Sequence, residues 1–180
     1  ACARRLCGAG VRGRAYPCHI GSQITEAAPY LDALERVLDL LEAIEAAGVP
    51  LGQIDLGGGL GIRYDNETPP TPEALMQALF DRLKQWRPDG LPSVTFEFGR
   101  ALVGNAGVCL TEVLYLKPGE DKSFCIVDAA MNDVPRPALY EAFHRIEPLQ
   151  AAAEGAPGRV YDVVGPVCES GDWLGRRRLL

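Results

Sequence analysis

Three short stretches carry residues that could do chemistry. In CHIGSQ, residues 18–23, a thiol, an imidazole and a hydroxyl fall within five positions, as Cys18, His19 and Ser22. Cys18 and His19 could be metal ligands or a nucleophile with its base, but neighbours on an extended strand face opposite ways, which argues against joint action on one atom. DLGGGLGI places Gly57, Gly58 and Gly59 at the end of an apolar run. It departs from the dinucleotide fingerprint at Ile62, and no Walker lysine follows. Three consecutive amides without side chains would suit a phosphate, and a tight turn without a ligand explains them equally well. GPVCESGD supplies Cys168, Glu169 and Asp172, a thiol beside carboxylates that could donate a proton or act as nucleophile if a neighbour tunes it.

Two further stretches are polar. FEFGR sets Glu97 and Arg100 at the end of a strand, and DAAMNDVPRPALYEAFH contains Asp128, Asn132, Asp133, Arg136, Tyr140 and His144. Each alone reads as a surface loop.

The elements that must position these residues follow from periodicity. Between Ile24 and Gly48, apolar residues at Tyr30, Leu34, Val37, Leu38, Leu41 and Ile44 recur at helical spacing, with Gly48 and Pro50 as stop signals. A second helix is expected over Pro72–Trp86, capped by Thr71. With strands at QIDLGG and SVTFEF, this order argues βαβ units and a parallel sheet whose carboxyl ends carry the glycines and the Glu97 turn. After Gly104 the texture becomes β-rich: GVCLTEVLYLK and KSFCIVDAA read as a hairpin, RPALYEAFH as a short helix and RVYDVV as a strand. Residues 1–15 show no periodicity.

Composition narrows the function classes. The chain has 180 residues, 47% of them hydrophobic, and a net charge of −6, which does not favour nucleic acid or anionic membrane as partner. No apolar stretch approaches the ~20 residues of a membrane helix, and no signal peptide is visible, so a cytoplasmic setting is expected. The cysteines (2, 7, 18, 109, 125 and 168) have no zinc-ligand spacing, so no metal is expected. Cys109 and Cys125 read as buried free thiols, and the basic GRRRLL end as a solvated cluster.

Taken in order, CHIGSQ, DLGGGLGI, FEFGRALVGNAG, DAAMNDVPRPALYEAFH and YDVVGPVCESGDWLG resemble the diaminopimelate decarboxylase family, enzymes that use pyridoxal 5'-phosphate on an alanine-racemase-like barrel. The resemblance implies an α/β plus β fold: the C-terminal part of a (β/α)8 TIM-like barrel at 18–104, then part of a β-rich C-terminal domain at 105–180. It implies decarboxylation of meso-2,6-diaminopimelate to L-lysine. His19 would stack on the pyridine ring, and Ser22, Gly57, Gly58 and Gly59 would meet the phosphate. Glu97 would pair with the pyridine nitrogen, with Gly99 and Arg100 beside it. Arg100, Arg136, Tyr140 and Glu169 would bind substrate, and Cys168 would protonate the carbon that loses carbon dioxide. Cys168 and Glu169 would reach the partner's site in a homodimer with shared active sites.

The chain departs from the family pattern in three ways. The Schiff-base lysine should precede CHIGSQ, and Lys84, Lys117 and Lys122 lie elsewhere. Residues 1–17 match nothing expected there and read as sequence from a shifted frame; the first barrel half and the strands beyond CESGDWLG are expected to be absent, making this an incomplete copy. Phe98 replaces a proline, which would loosen the Glu97–Arg100 turn. The competing readings are an ornithine- or arginine-type decarboxylase of the same fold, and a non-catalytic truncated product.

Overall fold

The computed structural model describes residues 16–150, 155 and 157–180, so of the segment 1–17 read as shifted-frame sequence, residues 1–15 lie outside the described residues. The chain divides into two units. Of the described residues, 16–63 and 67–107 form one, and 64–66 with 108–180 form the other.

In the first unit, strand β1 (Tyr16–Pro17) and strand β3 (Ser93–Glu97) flank strand β2 (Gln53–Gly58), and both pairings are parallel. Tyr16 and Pro17 therefore belong to the sheet although the sequence marks no strand there; two residues are too few to show an alternation. Helix α1 (Ala28–Ala46) links β1 to β2, and helix α2 (Pro72–Trp86) links β2 to β3. The α1 pattern begins four residues later than the periodicity suggests, because Ile24 forms a parallel bridge with Leu60 instead. At its other end the Val49 N–H reaches the Ile44 carbonyl and the Gly48 N–H the Glu45 carbonyl, with Gly48 at φ +80°, a Schellman stop.

The leucine faces of both helices meet over β2. Leu34, Leu38 and Leu41 of α1 and Leu75, Leu79 and Leu83 of α2 pack with Ile54 in one buried cluster. Polar links line the outer edge: Arg82 bonds Glu35, the Trp86 indole N–H donates to Glu42 Oε1 at 2.9 Å, and Arg87 pairs with Glu45. The Arg82 guanidinium holds the Glu35 carboxyl below its ordinary range. The exposed Arg82–Glu35 pair sets helix register more than stability. Thr71 Oγ1 accepts from the Ala74 N–H at 3.2 Å, so Thr71→Ala is expected to cost about 1 kcal/mol. A urea denaturation midpoint unchanged by that substitution would remove the cap from the account.

In the second unit, strands β4 (Val113–Lys117), β5 (Phe124–Val127), β6 (Val160–Val164) and β7 (Trp173–Leu179) form one sheet in that order. The β4–β5 and β6–β7 pairs are antiparallel and the β5–β6 pair is parallel. Helix α3 (Gly99–Val103) closes the first unit, and helix α4 (Pro135–Tyr140) follows β5. Cys125, Val127, Ala129, Val163 and Leu174 form the buried cluster, and burial pushes the Cys125 thiol up from its ordinary value. Cys109, expected to be buried, is exposed.

Arg176, Arg177 and Arg178 lie on β7, with Arg176 and Arg177 exposed as expected of a solvated cluster and Arg178 half-buried. Arg176 lies 4.2 Å over the Trp173 ring and Arg178 4.1 Å over Phe143. Arg177 bulges at φ +52° and gives its N–H to Asp162 Oδ1 at 2.8 Å.

Candidate functional site

Three consecutive parallel strands end at one edge of the first unit, and each delivers a residue named above. The loop after β1 holds His19 and Ser22, β2 runs into Gly57 and Gly58, and β3 ends at Glu97. His19 is exposed, and its Nδ1 accepts the Gly58 N–H at 3.3 Å, which leaves the proton of the neutral ring on Nε2. Cys18 faces a small apolar cavity beside Tyr30, Leu34 and Leu79. The two neighbours therefore do not form a dyad, and among the described residues no group of three or more His, Cys, Asp or Glu could hold a metal ion.

The glycines have a packing reason. A Cβ at Gly57 would overlap the Cys18 carbonyl, one at Gly58 the Glu97 carbonyl and one at Gly59 the Gly21 carbonyl. The end of β2 is pressed between the CHIGSQ loop and the end of β3, and only glycine fits. The sequence reading of three exposed amides is corrected accordingly. Gly57 and Gly58 are buried, with the Gly57 N–H given to Asp55 Oδ1 at 2.9 Å and the Gly58 N–H to His19.

Polar residues the sequence did not single out hold this edge. The Tyr30 hydroxyl donates to the Gly58 carbonyl at 3.1 Å, and burial pushes its pKa up to about 12. Gln23, at φ +57°, bonds both backbone groups of Ile62. The Arg100 guanidinium donates from Nη2 to Ser22 Oγ at 2.7 Å and from Nη1 to Gln23 Oε1 at 3.0 Å. Arg100 stands on α3, whose first residue is Gly99. Glu97 is exposed at the strand end.

Phe98 does not loosen the turn. Its φ of −75° lies within the range proline would impose, and its buried ring stacks on Phe96 at 5.1 Å and meets Tyr30 edge-on at 6.4 Å. Aromatic packing supplies the restraint that a pyrrolidine ring would.

The second unit carries the remaining named residues. Arg136 and Tyr140 share α4, the guanidinium 5.4 Å over the exposed phenol ring. Cys168 and Glu169 are exposed on the loop from β6 to β7. Glu169 Oε1 accepts from the Gly171 N–H and the Ser170 hydroxyl, which hold its carboxyl below the ordinary range. Asp172 at the end of that loop is buried and accepts backbone N–H groups from Met131 and Val167. Asp133 caps the turn at Ala130, and His144 meets the Tyr64 ring edge-on at 4.9 Å.

Asp128 ties the start of the sheet together. Its Oδ1 accepts from the Thr111 hydroxyl and the Glu112 N–H, and these bonds hold its carboxyl below the ordinary value. A depressed folded pKa contributes stability above the unfolded value, about 4, that is lost as pH falls through the folded one. The urea midpoint of the second unit is therefore expected to drop as pH is lowered below about 4. The drop should be smaller in Asp128→Asn, and an identical pH profile in that variant would contradict the assignment.

A family model for the C-terminal sheet domain of pyridoxal-dependent decarboxylases matches residues 16–180. The diaminopimelate decarboxylase of Vibrio cholerae is 49% identical over 161 residues, 89% of this chain and 37% of that protein. The Haemophilus influenzae enzyme of the same name is 47% identical over 163 residues, 91% of this chain and 38% of its own length. The crystal structure of diaminopimelate decarboxylase from Helicobacter pylori complexed with L-lysine superposes with a TM-score of 0.80 at 35% identity, covering 94% of this chain and 41% of that one. The chain thus spans less than half the length of the relatives it matches.

Proposed function

The chain belongs to the pyridoxal-dependent decarboxylase family, and we propose that it serves as part of a diaminopimelate decarboxylase, converting meso-2,6-diaminopimelate to L-lysine and carbon dioxide. Residues 18–104 would form the C-terminal part of a (β/α)8 barrel and 105–180 part of its β-rich domain. One observation carries the reading: His19, Gly58 and Glu97 stand at the carboxyl ends of three adjacent parallel strands, where barrels of this kind place their chemistry.

The residues present fit pyridoxal phosphate. Ser22 and Arg100, 2.7 Å apart, form a hydroxyl–guanidinium pair with the chemistry of a phosphate or carboxylate site. The His19 ring is fixed from behind by Gly58, with its outer side exposed. The Glu97 carboxylate is exposed to receive an N–H from a pyridinium nitrogen. When bound, the cofactor supplies an electron sink for the bond pair released as carbon dioxide leaves. His19 orients it by stacking, Glu97 keeps its nitrogen protonated, and Ser22, Gly99 and Arg100 hold its phosphate end. Gly57, Gly58 and Gly59 shape the floor by letting the CHIGSQ loop and β3 close on β2.

On the substrate, Arg100, Arg136 and Tyr140 would bind carboxylate and polar groups, and Glu169 the distal ammonium. The Cys168 thiol would give a proton to the α-carbon after carbon dioxide departs. The exposure of Cys168 and Glu169 supports their serving a partner subunit's site in a homodimer. No helix among the described residues is long and apolar enough to cross a membrane.

Grafting residues 16–180 in place of the matched part of the Vibrio cholerae relative tests the substrate. Carbon dioxide release from meso-diaminopimelate, with none from L-lysine, L-ornithine or L-arginine, is expected. Release from L-ornithine or L-arginine instead would favour the other decarboxylase class.

A further inference from the structure

Gln23, which bonds the Ile62 backbone, also bonds Arg100, so its one amide carries three hydrogen bonds at this edge. Its backbone sits at φ +57°, a conformation residues with side chains rarely adopt. That turn aims the amide at two targets. Nε2 donates to the Ile62 carbonyl at 2.6 Å while Oε1 accepts the Ile62 N–H at 3.2 Å, so both backbone groups after the glycines are satisfied by one side chain. The same Oε1 accepts from Arg100 Nη1 at 3.0 Å.

Hydrogen-bond polarity then runs one way. Arg100 donates from Nη1 to Gln23 and from Nη2 to Ser22 Oγ. Ser22, accepting from a cation, keeps its own O–H to donate elsewhere, and its residue is exposed. A hydroxyl polarised by a guanidinium is a strong donor to an anion.

We infer that Gln23 is a positioning residue: it fixes the Arg100 guanidinium against the Ile62 backbone, and Arg100 in turn orients the Ser22 hydroxyl proton toward a bound phosphate. The inference rests on the reading of Ser22 and Arg100 as an anion site. It adds that the site's donor geometry is set by an amide that never touches the ligand.

The test uses the full 180-residue chain labelled with nitrogen-15, in the original form, Gln23→Ala and Gln23→Glu, titrated with inorganic phosphate. Two signals are read: rotation of the Arg100 guanidinium Nη groups and the phosphate-dependent shift of the Ser22 amide. The original chain should show slow Nη rotation and a saturable Ser22 shift. Gln23→Ala should speed the rotation and weaken phosphate about tenfold, the loss of one charged hydrogen bond. Gln23→Glu should keep rotation slow, because a carboxylate still accepts from Arg100, yet weaken phosphate by neutralising the guanidinium. Gln23→Ala with unchanged rotation and affinity, even at a lower melting temperature, would reduce Gln23 to a clamp on Ile62 and overturn the inference. If Gln23→Ala does not fold, unchanged phosphate affinity in Gln23→Glu overturns it instead. A missing Ser22 response in the original chain would overturn the anion-site reading itself, and it is distinguishable because it precedes any substitution.

Discussion

Gly58→Ala is expected to destabilise the first unit by about 3 kcal/mol, at the upper end of overpacking costs. The added methyl would overlap the Glu97 carbonyl oxygen and press on its carbonyl carbon, and neither can move without breaking the β2–β3 pairing that joins Gly58 to Glu97. The penalty is steric, since Gly58 does not lie in the left-handed region. Gly90 provides the control. Nothing lies within 4 Å of a Cβ there, so Gly90→Ala should stay within about 0.5 kcal/mol of the original. Urea unfolding followed by Trp86 fluorescence measures both. Equal midpoints for the two variants would show that the close approach of β2 and β3 is not what the glycine is for.

Asp172→Ala is the second large effect, in the other unit. The Asp172 side chain, 4% exposed, accepts the Met131 N–H at 2.6 Å on one oxygen and the Val167 N–H at 2.7 Å on the other. It thereby fastens the loop bearing Cys168 and Glu169 to the turn after β5. Gly165 makes room, because a Cβ there would lie 2.5 Å from Oδ2. Truncation strands two amides and removes two charge-assisted bonds, for an expected loss of about 3 kcal/mol. Asp172→Asn retains one acceptor and should lose about half as much. Amide hydrogen exchange at Met131 and Val167 should rise in both variants, more in Asp172→Ala. Exchange at the original rate would mean that other groups hold the loop.

Much of the fold was legible because it rests on local pattern. The leucines of α1 and α2 announce their faces at three- and four-residue spacing, and Thr71 and Gly48 mark ends that the structure keeps. What was hidden depends on partners distant in sequence. β1 is two residues long and exists through β2. The strand character of Arg176–Arg178 is masked because aromatic rings hold the Arg176 and Arg178 side chains and a carboxylate holds the Arg177 backbone N–H, with no alternating apolar face.

The site shows the same division. His19, Ser22, Glu97 and Arg100 announce themselves by residue type. The glycines announce themselves too, but for a reason the sequence leaves open, since both a phosphate and a backbone carbonyl require a missing Cβ. Gln23 and Tyr30 were invisible as site residues. One acts through a positive φ and a contact 39 residues away, the other through a hydroxyl at the end of a helix face that otherwise reads as core. Phe98 misled in the opposite direction, since its sequence departure is compensated by ring stacking.

The central claim, that this chain supplies working parts of a diaminopimelate decarboxylase site, meets its most direct measurement in a bacterium whose own gene for that enzyme is deleted and which therefore needs lysine. Expressing the Vibrio cholerae graft that carries residues 16–180 should restore growth without lysine, and the same graft with Cys168→Ala should not. A soluble, folded graft that binds pyridoxal phosphate yet leaves the strain dependent on lysine would contradict the account.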